Sequence, residues 1–285
     1  MLADIIFQNQ LRQIIFKPQG NDYGQTIRPT WSDGLPAHSQ YIIHSVSEWD
    51  AEYGAPIQSI RKIAWKAGLR EILALYQKRA TTKQEFEDMG VSWWAPWFNE
   101  EGSLGTSYAY QLAKEIDFPE GRFNQVDRVL WLLKNKPHDR RIITNMLNLE
   151  ELKDMTLPPC AFMTMWSVTG EKLNLMLIQR SGDVIPAAGF GGVNTIQYFF
   201  LLLMFAQVSG LKPGKFTHVV NNLHIYDKHL DIAKTLLYTP PISDISSIEF
   251  WVNPEITNFY DFTENDIKLL NYKWVEDIKN IPIAE

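Results

Sequence analysis

Apolar residues recur at helical spacing through residues 63–78 (IAWKAGLREILALYQK), 126–134 and 195–208. That spacing turns one face of each segment toward a core, so three packed helices are expected. Residues 162–168 and 172–179 are β-rich runs flanking Thr169-Gly170, which reads as a hairpin with Cys160 just before it. Residues 216–220 and Glu249–Val252 are further strand candidates, while Gly and Pro gather in loops at 17–36, 100–106, 186–192 and 238–248. No repeat or low-complexity linker divides the chain, so the expectation is one α+β domain over residues 1–285, a mixed sheet packed with helices. The longest apolar run, residues 198–208, falls short of the roughly 20 residues that cross a bilayer and reads as a buried helix.

Composition narrows the partners. The 285 residues are 45% hydrophobic and 13% aromatic, enough for a sizeable core. The net charge of -6 argues against DNA or a membrane surface as partner, because both require a dense cationic face. The N-terminus lacks the basic start and apolar run of a signal peptide, and one cysteine permits no internal disulfide; both point to a cytoplasmic, reducing setting. No Cys/His cluster has metal-ligand spacing, since His224 and His229 lack a third partner, so no metal is expected. The Gly189-x-Gly191-Gly192 run has no βα phosphate loop around it and is not a dinucleotide motif.

A lone cysteine is more often an inert core residue than a nucleophile. Cys160 has notable company: Arg180-Ser181-x-Asp183, Asn194 and His224-x-Tyr226 downstream, Glu71 and Arg140-Arg141 upstream. An arginine beside a thiol favours the reactive thiolate, and several guanidinium groups suit a phosphate.

These residues sit in a series of segments that resembles the thymidylate synthase family along nearly the whole chain. In order they are TIRPTWSDGLPAH, RKIAWKAGLREIL, WWAPW, GSLGTSYAYQL, DRRIITNMLN, LPPC, QRSGDV, NTIQY, AQVSGLKPGKF, LHIYDKH and the terminal PIAE. Any one is weak; the ordered set is specific.

The resemblance implies a sheet-mediated homodimer acting on dUMP, with 5,10-methylenetetrahydrofolate as co-substrate. Cys160 would add to C6 of uracil, making C5 an enolate-like nucleophile. Glu71, Tyr108 and His224 would form the proton network that removes the C5 proton, although a satisfied core histidine is an equal reading of His224. Arg28, Arg180 and Ser181 match the phosphate site within one subunit, and Arg140 and Arg141 match a pair reaching in from the second subunit. Asn194 would read the base, since an amide can donate to O4 and accept from N3-H of uracil. His224 and Tyr226 match the ribose contacts. Trp94, Trp97, Leu157, Asp183 and the tail ending at Glu285 match the folate side, with plain core packing an equal reading of the two tryptophans.

Several positions depart from the family pattern. The stretch VIPAAGFGGVN between Asp183 and Asn194 is a few residues longer than usual and glycine-rich, so counting forward from Arg180 would put Gly191 or Gly192 at the base-reading place, whereas the NTIQY anchor keeps Asn194 there. Ala95, Ala161, Asn221-Asn222 and Glu285 replace residues typical of the family. A remodelled loop and tail beside the folate favour water over hydride at the C5 methylene. The expected activity is therefore dUMP hydroxymethyl transfer, as in viruses that replace thymine, with methylation to dTMP second and a silent nucleotide- or RNA-binding relative a remote third.

Overall fold

The computed structural model describes residues 2–242 and 248–285. The chain opens with helix α1 (Leu2–Phe16), a two-residue strand β1 (Gly20–Asn21) and the long strand β2 (Ser39–Asp50). Helix α2 (Trp65–Ile72) continues as a π-helical segment, Leu73–Lys78, followed by short helices α3 (Lys83–Asp88) and α4 (Ala109–Ala113). A small hairpin, β3 (Ile116–Phe118) and β4 (Gly121–Phe123), leads into α5 (Gln125–Asn135) and β5 (Ile143–Asn145). Then come β6 (Ala161–Thr169), β7 (Lys172–Asp183), α6 (Val193–Val208), β8 (Lys212–Tyr226), α7 (Leu230–Tyr238) and the pair β9 (Glu249–Val252) and β10 (Ile267–Leu270).

The α+β expectation holds. Six strands form one mixed sheet in the order β1-β2-β8-β7-β6-β5, with β7 and β8 parallel and the other neighbours antiparallel. The hairpin turns at Gly170, whose φ of 59° suits a residue without Cβ, with Thr169 opposite Lys172. Two strands run farther than the apolar pattern: β7 reaches Asp183 and β8 reaches Tyr226. The added residues are Arg180-Ser181-Gly182-Asp183 in β7 and, in β8, polar Asn221, Asn222 and His224 interleaved with buried Leu223 and Ile225, so the continuous apolar run stops while the ladder continues. The 249–252 strand exists, but it pairs with β10 outside the main sheet. Of the expected loop at 238–248, residues 243–247 lie outside the described residues.

Helix α6 fills the interior against the sheet. Together with the turn before it, the stretch Val184–Val208 has the length and hydropathy of a membrane-crossing segment, yet 89% of its apolar window is buried inside the fold, as a core helix requires. Trp166 stacks on Phe205 at 4.8 Å, joining sheet to helix, and Trp49 stacks on Phe216 at 6.0 Å across β2 and β8. The opposite face of the sheet is uncovered. Val46, Met165 and Met176 stand exposed there, in rows continued across the strands by Val219 and Ile178.

Candidate active site

Cys160 sits at the entry to β6, one residue before the sheet begins. Arg180, opposite it on β7, donates its backbone N–H to the Cys160 carbonyl (2.8 Å) and its guanidinium to the carbonyls of Pro159 (3.0 Å) and Pro158 (2.7 Å). The guanidinium thus satisfies two carbonyls of the Pro158-Pro159 segment that leads into Cys160. Burial pushes the Cys160 thiol up, while the Arg180 charge, a Tyr108 hydrogen bond and the Arg28 charge pull it down. Burial dominates, so the resting sulfur favours the protonated form.

Tyr108 leads α4 with a φ of 44°, a conformation that costs a non-glycine residue about 1–3 kcal/mol. The surroundings hold it there. Its hydroxyl accepts the Cys160 backbone N–H (3.1 Å), and its ring meets Trp94 edge-on at 4.8 Å. Burial raises its pKa well above the ordinary phenol value, keeping it a neutral hydroxyl.

Glu71 ends the second turn of α2, and Trp93 donates its indole N–H to the carboxylate at 2.6 Å. Burial raises the Glu71 pKa; hydrogen bonds from Trp93, Gln197 and Trp94 partly offset it. A carboxyl shifted upward by burial is the kind of group that general acid–base chemistry uses.

Asn194 is the second residue of α6, after Gly192. Its side-chain oxygen accepts from Gln179 (3.2 Å) and its amide nitrogen donates to Gln197 (2.9 Å). Gln179 accepts in turn from the buried His218 ring (2.9 Å), whose other nitrogen meets the Thr195 hydroxyl (3.2 Å). Burial drives His218 down to about 3, so the ring is neutral. This chain of amides fixes the Asn194 plane and, through Gln197, connects it to Glu71.

A cavity of about 380 Å³ is lined by Arg28, Ser181, His224 and Tyr226 together with Asp22, Tyr41 and Asn222, and Arg28 and Tyr226 are near enough to interact electrostatically with Cys160. Four of the expected nucleotide residues thus converge. His224 is buried, and burial lowers its pKa; its Nδ1 lies 3.0 Å from the Asn222 side-chain oxygen, which can only accept a hydrogen bond. Nδ1 therefore carries the proton, and Nε2 is left an acceptor. Arg140 and Arg141 do not reach this cavity within the chain. Arg140 lines a separate hollow on the uncovered sheet face with His138 and Trp166, and Arg141 forms a two-pronged pair with Asp139.

On the expected folate side, Trp94 is 4% exposed and packs in a cluster with Phe86, Trp97 and Tyr108. The core reading therefore fits Trp94, whereas Trp97 is partly open. Leu157 is partly buried and donates its backbone N–H to the Ser107 hydroxyl oxygen (3.3 Å). Asp183 closes β7, capping Ile185 N–H (3.2 Å) with its carboxylate 3.3 Å from His229. The tail ends beside Arg28: Thr30 and Glu285 exchange backbone hydrogen bonds of 2.8 and 2.9 Å.

The glycine-rich stretch departs from the open loop expected of it. Val184–Ala188 forms a π-helical turn, and Val184, Ile185, Ala188 and Phe190 are at most 1% exposed. Gln58 holds the stretch in place, donating its side-chain amide to the Phe190 carbonyl (2.8 Å) and its backbone N–H to the Gly191 carbonyl (3.0 Å). The buried Arg61 guanidinium binds the Ile185 carbonyl and Gln58. At Gly189 a Cβ would meet Phe7 at 2.4 Å, and at Gly182 it would meet Ala188 at 2.4 Å. The extra glycines allow close packing, not a wider mouth.

Trp93, Gln179, Gln197, His218 and Arg61 complete the arrangement and carry no signal in the apolar pattern. Four of them do lie inside the family-like segments: Gln179 in QRSGDV, Gln197 in NTIQY, Trp93 in WWAPW and Arg61 in RKIAWKAGLREIL. Among the described residues, no group of three or more His, Cys, Asp or Glu side chains is placed to hold a metal.

A thiol near an arginine, a carboxylate of raised pKa and a cavity lined by polar side chains are groups that suit transferase chemistry. Comparison with known proteins specifies it. Residues 19–284 match the family model described as thymidylate synthase. A thymidylate synthase of Clostridium beijerinckii is 42% identical over 83% of this chain and 85% of its own length. That of Bacillus phage phi3T is 36% identical over 87% of each chain. The structure of the thermostable thymidylate synthase A from Bacillus subtilis superposes with a TM-score of 0.90 at 34% identity, covering 99% of both chains. The chain belongs to the thymidylate synthase family. It is a one-carbon transferase whose co-substrate is 5,10-methylenetetrahydrofolate.

Proposed function

We propose that the enzyme methylates dUMP to dTMP, converting 5,10-methylenetetrahydrofolate to dihydrofolate. The Cys160 sulfur adds to C6 of uracil, and the C5 carbon so activated bonds to the folate methylene. Glu71, acting with water held near Tyr108 and His224, takes the C5 proton. Tetrahydrofolate leaves an exocyclic methylene on C5, and its own hydride then moves to that carbon. Elimination of the Cys160 sulfur releases dTMP. Arg28, Arg180 and Ser181 bind the phosphate, Asn194 the base, and His224 and Tyr226 the ribose. Asp183, Trp97, Leu157 and the tail receive the folate.

The observation that carries the methyl product is the burial of Val184, Ile185 and residues 188–192, together with relatives named thymidylate synthase. The reading of water addition rested on an open loop. A packed loop and a tail seated on Thr30 exclude water from the methylene, and exclusion favours hydride. Mass spectrometry of the nucleotide product is the test: dTMP supports this reading, and 5-hydroxymethyl-dUMP restores the other.

The assembly is proposed as a homodimer. The exposed apolar rows through Val46, Met165 and Met176 suit burial against a second copy, and Arg140 on that face would extend with Arg141 toward the partner's phosphate site. A lone thiol fits a cytoplasmic setting, where it stays reduced.

A further inference from the structure

We propose that His229 is a positioning residue that ties Asp183 to the C-terminal tail, holding both in the arrangement that receives the reduced folate. This rests on the folate role given above to Asp183 and the tail.

The ring of His229 is fully buried. Its Nε2 lies 2.7 Å from the Pro282 carbonyl, which can only accept, so Nε2 carries a proton. Nδ1 faces the Asp183 carboxylate at 3.3 Å, a charge contact rather than an aligned hydrogen bond, and has no hydrogen-bond partner among the described residues. A buried ring nitrogen left in this state gains a donor bond to Asp183 when it takes a second proton. Elsewhere the tail is stitched by backbone bonds, to residues 59–62 through Val275 and Glu276 and to Thr30 through Glu285. His229 is the side chain that joins it to the end of β7.

The neighbours favour the charged ring. Burial opposes it, but the Asp183 carboxylate, the Pro282 carbonyl and the Asp227 charge outweigh burial and hold His229 above its ordinary value. Tyr226 and His224 face it from β8, and Trp31 packs edge-on at 5.4 Å with the Lys228–Asp33 pair beyond. Because the folded pKa is raised, the tie is full at low pH and weakens as pH rises through that value.

The test measures backbone hydrogen exchange of residues 275–285 without ligand, corrected for the intrinsic pH effect, alongside KM for methylenetetrahydrofolate, kcat and dUMP affinity. In His229→Phe, which keeps an aromatic ring against Trp31 but has no donor, tail exchange and folate KM should each rise about tenfold, with dUMP affinity unchanged. His229→Gln, which can still donate to Pro282, should recover part of both. Wild-type tail exchange should rise with pH, and that of His229→Phe should stay flat. Unchanged tail exchange in His229→Phe, or equal loss of dUMP affinity and folate binding in both variants, would overturn the proposal. Should His229→Phe fail to fold, His229→Gln and the wild-type pH series decide it. Tail exchange needs no turnover, so a failure of the methylation reading leaves this measurement intact.

Discussion

The nucleotide side and the folate side of the site are built differently. Cys160, Arg180, Ser181, His224 and Tyr226 lie on or beside β6, β7 and β8, where pairing such as Ser181 opposite Asn222 and Asp183 opposite His224 sets their relative positions. Strand register admits only steps of a whole residue, so one slip would move every side chain to the other face. Apart from Asp183 at the end of β7, the proposed folate side comes from loops: the π-helical turn, the Trp93–Trp97 segment and the tail. Its geometry depends on single contacts: Arg61 on Ile185, Gln58 on Phe190, His229 on Pro282. On the proposed reading, strand pairing sets the nucleotide side and single side-chain contacts set the folate side.

That contrast can be broken most sharply at Cys160. Cys160→Ala should lower kcat on the order of 10⁴-fold or more while dUMP still binds, measured by turnover and by calorimetry. Next is Phe190, inside the glycine-rich stretch. Phe190→Ala should cost about 3–5 kcal/mol in denaturant unfolding, because the site is fully packed. If the stretch were an open loop, the cost would be near zero.

How far the sequence foretells each half follows the same division. The β7 and β8 site residues fall in compact motifs because a strand places functional side chains at short, fixed spacings, and Arg180-Ser181-x-Asp183 and His224-x-Tyr226 could be read directly. Helices α2, α5 and α6 were legible from their apolar spacing. Strand β2 was not, since it carries His44 at a φ of 56° and alternates irregularly. Nor was the packing of residues 184–192, which is decided by Phe7, Gln58 and Arg61 from the N-terminal quarter of the chain. Glycines that read locally as freedom are used globally for close approach. Trp93 escaped notice for a related reason: its bond to Glu71 spans 22 residues and no local period encodes it.

Two smaller effects sharpen the comparison. Glu71→Gln should lower kcat about 10²-fold or more without weakening dUMP, since it removes proton transfer and leaves the strand side untouched. Trp93→Phe should act through pH. The indole N–H stabilises the carboxylate, so its loss raises the Glu71 pKa further, and the acid limb of kcat/KM should move to higher pH. An unmoved limb would mean that Glu71 is not the titrating base.

The central claim is that the packed folate side excludes water so that hydride finishes the reaction. The direct measurement is the absorbance of dihydrofolate formed on mixing enzyme, dUMP and 5,10-methylenetetrahydrofolate, set against nucleotide consumed. One dihydrofolate per dUMP is the predicted result; consumption of dUMP with tetrahydrofolate released unoxidised would contradict it.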